Sequence, residues 1–132
     1  MTSTPWHTQE IATAPLVTAP DGSAVRVLCA TGRGSMISFS LRPGAVSKPV
    51  SHRTVEEIWY IVAGHGRLWR QLGEAEETIN LAPGLSVTIP VGTAFQFRNG
   101  GTTPLQITAV TMPPWPGEDE AFAVNGAWPA TV

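Results

Sequence analysis

The feature that most constrains the fold is the alternation of apolar and polar residues in short runs broken by Gly and Pro. Ile37, Phe39 and Leu41 alternate with serines, which is the period-two pattern of a half-buried strand. Similar runs predict strands over residues 25–30, 36–41, 58–62, 67–70, 78–81, 85–89, 94–98 and 105–111. Short strands at roughly 8–12-residue spacing, separated by turn residues, predict an all-β antiparallel sandwich or barrel. Gly64-His65-Gly66 is predicted to be a hairpin turn.

Size and charge limit the class of protein further. The 132 residues fit one domain over positions 1–132, without a repeat or a long linker. The net charge is −2 and Lys48 is the only lysine, which argues against a nucleic-acid partner. The single Cys29 excludes an internal disulfide. The longest apolar run, residues 58–63, is too short to cross a membrane, and residues 1–10 lack the layout of a signal peptide, so we expect a cytoplasmic protein.

Two segments lie outside the strand pattern, residues 1–22 and 112–132. They contain three of the five tryptophans, Trp6, Trp115 and Trp128. Because large aromatic side chains are stabilised by burial, we expect both tails to dock on the barrel.

The run 58–62 is apolar on both faces of its predicted strand. Glu57, Trp59 and Ile61 point one way, and the intervening side chains point the other way. If one set faces the interior, the other set needs a cover. A homodimer formed by stacking of sheets is the predicted cover, and the alternative is a tail folded back over this face within one chain.

Two motifs in this chain resemble those of the cupins, a superfamily of small double-sheet β-barrels. The first family motif places a Gly before His-x-His, then a Glu, then a second Gly. The matching residues are Gly44, the triplet Val50-Ser51-His52, Glu57 and Gly64. The second motif is matched in spacing by Gly84, Pro90, Gly92, Phe95 and Asn99, with Phe95 where the family has a His. The resemblance covers about residues 36–111 and implies the cupin jelly-roll barrel, also called a double-stranded β-helix.

The resemblance also implies a metal site that is degenerate in this chain. The common cupin site holds a divalent metal through three His and one Glu. This chain retains His52 and Glu57, while Val50 and Phe95 replace two of the His. Catalytic zinc and non-haem iron both need about three protein ligands. We therefore predict no metal cofactor; a divalent metal, if one binds, would use His52 and Glu57.

The remaining residues predict an acid–base site for a small molecule. If His52 and Glu57 converge, the carboxylate favours the protonated imidazole, and a His held in this way is a competent acid or base. The alternative is that the two residues form a buried ion pair that remains from a metal-binding ancestor. Some cupins lack a metal and work through a His with an acidic partner. The resemblance to these cupins implies that this chain is an isomerase, a cyclase or a lyase. Four aromatic residues are predicted to bind a largely apolar or aromatic substrate: Trp59, Trp69, Phe95 and Phe97. The alternatives are a non-catalytic binding or sensing module and a metal-dependent oxygenase with an irregular ligand set.

Overall fold

The computed structural model describes residues 4–132, which form eleven strands and two short 3-10 turns. The turns are Ile11–Thr13 and Glu118–Glu120. The strands are β1 (Leu16–Thr18), β2 (Ala24–Ala30), β3 (Ser35–Leu41), β4 (Val50–His52), β5 (Glu56–Ala63), β6 (Gly66–Leu72), β7 (Ala75–Leu81), β8 (Ser86–Ile89), β9 (Ala94–Arg98), β10 (Leu105–Met112) and β11 (Ala121–Ala123). All eight predicted strands are present, and β1, β4 and β11 are additional.

The strands form two antiparallel sheets, which confirms the predicted all-β class. The six-stranded sheet has the order β1-β2-β3-β10-β5-β8, and the five-stranded sheet has the order β11-β4-β9-β6-β7. Most neighbours in each sheet are distant in sequence, as in a jelly roll. The chain thus passes repeatedly between sheets, and residues from both halves of the sequence meet in one interior.

The interior lies between the sheets and takes alternate residues from each strand. In β5, Glu57, Trp59 and Ile61 are buried, as predicted. The apolar core also draws on the strands of both sheets, with Phe39, Ile107, Leu68, Phe95 and Phe97 among its members. Four of the larger core side chains are aromatic, and their rings pack edge to face among the aliphatic side chains of the core.

The segment Gly64-His65-Gly66 is not a hairpin turn, so that prediction is wrong. β5 and β6 belong to different sheets, and the segment carries the chain across the barrel edge. Gly64 has φ 85°, and a side chain there would collide with the carbonyl of Pro104. The hairpin in this region joins β6 to β7, where Leu72 pairs with Ala75 across a two-residue turn that begins with Gly73 at φ 60°.

The C-terminal tail lies against the five-stranded sheet. β11 pairs with β4, placing Ala121 opposite His52. Further along the tail, the buried Gln96 side chain binds the backbone of residue 128 from both sides, with Nε2 donating to the carbonyl at 2.7 Å and Oε1 accepting from the N–H at 3.0 Å. The Arg98 guanidinium lies 4.5 Å from the centre of the Trp128 ring. Together these contacts hold the tail along the sheet.

The N-terminal tail joins the six-stranded sheet through β1, which pairs antiparallel with β2. The backbone N–H of Ala30 donates to His7 Nδ1 at 3.3 Å, at the edge of β2. The Trp6 side chain is 79% exposed, contrary to the expectation that the tail tryptophans dock. Residues 1–3 of the predicted tail lie outside the described residues. Within the described range, no helix has the length and apolarity to span a bilayer.

Candidate functional site

His52 ends β4 and points into the barrel. Its side chain is 5% exposed and meets two rings edge to face, Phe95 at 5.2 Å and Trp115 at 5.1 Å between centroids. Among the atoms of residues 4–132, His52 Nδ1 has no hydrogen-bond partner although it is buried. A buried polar atom left unpaired costs free energy, so this nitrogen is available to a ligand or a proton.

Burial lowers the pKa of His52, and two neighbouring groups oppose that effect. Desolvation of the imidazolium is the largest cause, while the charge of Glu120 and the backbone of Val55 favour the protonated ring. Because the net direction is downward from 6.5, the imidazole is largely neutral at pH 7.

Glu57 lies near the start of β5 and is also buried, with 5% exposure. The indole Nε1–H of Trp59, two residues along the same strand face, donates to Glu57 Oε1 at 2.9 Å. Desolvation raises the pKa of Glu57 to about 7, against a smaller lowering by the Trp59 hydrogen bond. The carboxyl group is therefore present in both protonation states at neutral pH.

The two candidate catalytic residues do not form a direct pair, which the sequence analysis gave only as a condition. Throughout the described chain, no hydrogen bond joins His52 to Glu57; the carboxyl group of Glu57 is bound to Trp59 instead. The two side chains share an aromatic environment, because Phe95 contacts both His52 and Trp59. The carboxylate that acts on His52 is Glu120.

Glu120 is a site residue that the sequence reasoning missed. It ends the second 3-10 turn, is 5% exposed, and accepts hydrogen bonds from the backbone N–H groups of Thr54 and Val55, both at 2.6 Å. Burial opposes its ionisation, but these bonds, the Thr54 hydroxyl and the nearby His52 outweigh it, so the pKa of Glu120 is lowered. No motif in the sequence marks this residue, since it lies 65 positions after Val55 in an acidic run with two exposed neighbours.

Three of the four predicted substrate-binding aromatics meet in the interior, and Trp69 does not. Trp59 packs edge to face against Phe95 at 5.5 Å and Phe97 at 5.4 Å. Trp69 pairs in register with Gln96, on the opposite face of the sheet, and its Nε1–H donates to Glu76 at 2.8 Å. Trp69 is therefore not part of the aromatic group around Trp59, and β6 and β5 belong to different sheets.

Two clefts open on the surface, and neither is lined by His52 or Glu57. One of about 450 Å³ lies beside Arg70, Glu77, Thr88 and Thr93. Another of about 360 Å³ lies beside His65 and other residues near the end of β9. Trp115 packs edge to face on His52 and contributes to its burial.

The sequence profile of the cupin domain family matches residues 37–111, which is more than half of the chain. This chain belongs to the cupin family. Over 104 residues, this cupin is 32% identical to the uncharacterized protein MJ1618 of Methanocaldococcus jannaschii, a match that covers 75% of this chain and 80% of that protein. It is 30% identical over 82 residues to the xanthan biosynthesis protein XanB of Xanthomonas campestris pv. campestris; the match covers 62% of this chain but spans only 17% of XanB.

Solved structures also resemble this cupin in fold. Pac13, described as a nucleoside dehydratase, has a TM-score of 0.70 at 13% identity, with 92% of each chain covered. KdgF from Halomonas sp. has a TM-score of 0.68 at 18% identity, with 80% of this chain and 94% of KdgF covered. At these identities the likeness establishes the cupin barrel, in agreement with the resemblance of the two motifs.

Two of the four residues at the family's metal positions cannot bind a metal. Val50 and Phe95 are register partners on adjacent strands, 4% and 2% exposed, and belong to the apolar core. Neither side chain carries a donor atom. In the part of the chain that the structure describes, no three His, Cys, Asp or Glu side chains are grouped so as to hold a metal ion. The absence of a metal cofactor stays a prediction.

Proposed function

We propose that this cupin acts on a small organic molecule by acid–base chemistry that needs no metal, with Glu57 as the principal proton carrier and His52 as the second. The observation that carries the proposal is the burial of the Glu57 carboxyl group, which is 5% exposed; this burial raises the pKa of the group to about 7. A group with a pKa near the working pH can both take and return a proton, and such catalysis contributes about 10²–10⁴-fold to a rate.

His52 complements Glu57 in this proposal. Its unpaired Nδ1 is placed to bind a substrate hydroxyl or to exchange a proton, and its lowered pKa keeps the ring mostly neutral at pH 7. In the proposed reaction the Glu57 carboxylate removes a substrate proton and the carboxylic acid returns it at another atom. No oxidant is consumed, which fits an isomerase, a cyclase or a lyase.

The surrounding rings favour a small, largely apolar or aromatic substrate. Trp59, Phe95 and Phe97 form the wall next to the two acid–base residues. In this proposal, substrate entry displaces the segment that follows β10, whose Trp115 ring packs on His52. The likeness to Pac13 over nearly the whole of both chains supports the class of reaction, since a dehydratase is a lyase. The cytoplasm remains the predicted compartment.

A metabolite screen with a chelator arm tests the proposal. Protein purified without chelator is incubated with a mixture of small metabolites, and consumption is followed by NMR with and without EDTA. We expect turnover that EDTA does not change, abolished by His52→Ala, and metal content below about a tenth of an equivalent, because the site lacks the usual three ligands. Near-stoichiometric metal together with loss of turnover in EDTA would contradict the proposal. Saturable binding that survives His52→Ala, without turnover, would support a sensing module instead.

The proposed assembly is a homodimer formed through the outer face of the six-stranded sheet. On this face Ile58, Tyr60 and Val62 are 45–52% exposed, and Met36 and Val110 lie in register with Ile58. These five positions carry no charge, which favours an identical face over a charged partner. The alternative was that a tail of the same chain covers this face. Within residues 4–132 no tail does so, since the three β5 side chains remain exposed.

Light scattering at micromolar concentration tests the dimer. We expect a mass near twice the 14.0 kDa of one chain, and a return to the single-chain mass in the Tyr60→Glu variant, because a buried unpaired carboxylate opposes association. Val91→Glu, at a 42% exposed apolar position in the turn before β9, is the matched control and should remain dimeric. A wild-type mass of one chain would contradict the dimer.

A further inference from the structure

The Glu120 carboxylate binds the three-residue loop between β4 and β5. Oε1 accepts from the N–H of Thr54 and the N–H of Val55, both at 2.6 Å, and from the Thr54 hydroxyl at 2.8 Å. The backbone of the same residue adds a further bond, because the Arg53 N–H donates to the Glu120 carbonyl at 3.0 Å. Every residue of loop 53–55 is therefore tied to Glu120.

This loop joins the two candidate catalytic residues. His52 is the last residue of β4, and Glu57 is the second residue of β5, so loop 53–55 sets the spacing and direction of both strand ends. The two strands lie in different sheets, so no hydrogen-bonded ladder fixes them to each other. The loop, with the groups that bind it, is the covalent link between the two strand ends, and the aromatic contacts of Phe95 with His52 and Trp59 are a second link.

We propose that Glu120 is a positioning residue for the acid–base site: its buried carboxylate fixes loop 53–55, and thereby the placement of His52 relative to Glu57. The inference deepens the proposed function and rests on it for the chemistry that is positioned. Glu118 and Asp119, in the same 3-10 turn, are exposed, so the burial of an acidic side chain here is specific to Glu120.

Glu120 also contributes to the electrostatic environment of His52, against the larger effect of burial. The groups packed on the imidazole are the uncharged rings of Phe95 and Trp115. The neighbouring Arg53 is directed elsewhere, with Nε donating to the Asp119 carbonyl at 3.0 Å and the guanidinium 4.7 Å from the centre of the Phe122 ring. In the described part of the chain, the charge that raises the pKa of His52 against burial is that of Glu120.

The test compares Glu120→Gln with Glu118→Gln, the same substitution at an exposed position of the same turn. The readouts are the imidazole ¹⁵N titration of His52 and the hydrogen exchange of the Thr54 and Val55 amides. In Glu120→Gln we expect the pKa of His52 to fall by about 0.5 or more, because the opposing charge is lost. We also expect exchange of the two amides to quicken by about tenfold or more, as the loop opens locally. Glu118→Gln should leave both readouts at their wild-type values.

A folded Glu120→Gln protein with an unchanged His52 titration and unchanged amide exchange would overturn the proposal. If that variant does not fold, Thr54→Val provides the second test, since it removes one donor to Glu120 and keeps the side-chain size. It should shift the side-chain resonances of His52 and Glu57, and unshifted resonances would also overturn the proposal. These readouts need no substrate. Failure of the metabolite screen would therefore count against the proposed function alone.

Discussion

The Glu57→Gln variant should lose turnover by about 10²–10⁴-fold, the contribution that a positioned proton carrier makes. The amide is close in shape to the carboxylic acid, and its oxygen can still accept the hydrogen bond from Trp59 Nε1. The substitution thus removes proton exchange with little change in packing. Turnover is measured on the substrate that the metabolite screen identifies.

The same variant should be more stable than the wild type above pH 7. A carboxyl group with a pKa of 4.5 in the unfolded chain and about 7 in the folded chain holds its proton more tightly when folded. Its contribution to stability is complete below pH 4.5 and is lost as the pH rises through about 7. The difference in pKa corresponds to about 3 kcal/mol, the gain expected for Glu57→Gln at pH 8 from chemical denaturation.

Glu56→Gln is the matched control for both effects. Glu56 neighbours Glu57 on the same strand, but its side chain is exposed on the opposite face. We expect this control to keep wild-type turnover and the wild-type dependence of unfolding free energy on pH. If the unfolding free energy of Glu57→Gln depends on pH in the same way as that of the wild type, the proposal that Glu57 is buried with a raised pKa is refuted.

Trp59→Ala should lower the free energy of unfolding by about 3–5 kcal/mol, the usual cost of truncating a buried Trp. The side chain is 1% exposed and its ring contacts three others, those of Phe39, Phe95 and Phe97, at 5.0–5.5 Å between centroids. Truncation leaves a cavity and also removes the hydrogen bond to Glu57. The measurement is denaturant unfolding at pH 5, where Glu57 is largely protonated.

Trp59→Phe separates these two losses. The smaller ring retains much of the packing, but it has no N–H to donate to Glu57. Because that hydrogen bond lowers the pKa of Glu57, its removal should move the pH dependence of stability to higher pH. A midpoint unchanged from the wild type would show that the indole N–H has no influence on the carboxyl group. If Trp59→Phe loses as much stability as Trp59→Ala, the loss comes from altered ring packing and not from the missing hydrogen bond.

The barrel could be predicted because the residue patterns that specify its strands and turns are local in the sequence. Alternation places Glu57, Trp59 and Ile61 on one face wherever the strand pairs, and this face is buried as predicted. The motif spacing likewise locates Phe95 opposite Val50 in the interior. These features depend on the period of a strand and on turn residues, and both can be read from a single sequence.

Trp69 was misplaced because alternation does not say which face of a strand turns inward. β6 has two adjacent buried residues, Leu68 and Trp69, so burial alone fits either register. The register with β9 decides it: Leu68 pairs with Phe97 and faces the core, and Trp69 pairs with Gln96 on the outer face. That pairing depends on contacts about 30 residues apart in the chain, which no local pattern encodes.

The positions of Glu120 and Trp115 in the site could not be predicted from the sequence, for a similar reason. Both lie after the last core strand, in a tail whose path is fixed by β11 pairing with β4 and by its contacts with Gln96. The tryptophan content of the tail predicts that it docks, but not that Trp115 packs on His52 or that one acidic residue of three is buried. Such contacts follow only from the assembled barrel.

The most direct test of an acid–base site without a metal is the titration of Glu57 itself. Side-chain carboxyl resonances are followed by NMR in protein labelled with ¹³C-glutamate, with Glu57→Gln used to assign the signal. The structure predicts a midpoint at about pH 7. A midpoint at or below 4.5, the ordinary value for an exposed glutamate, would contradict the proposal that Glu57 carries the proton.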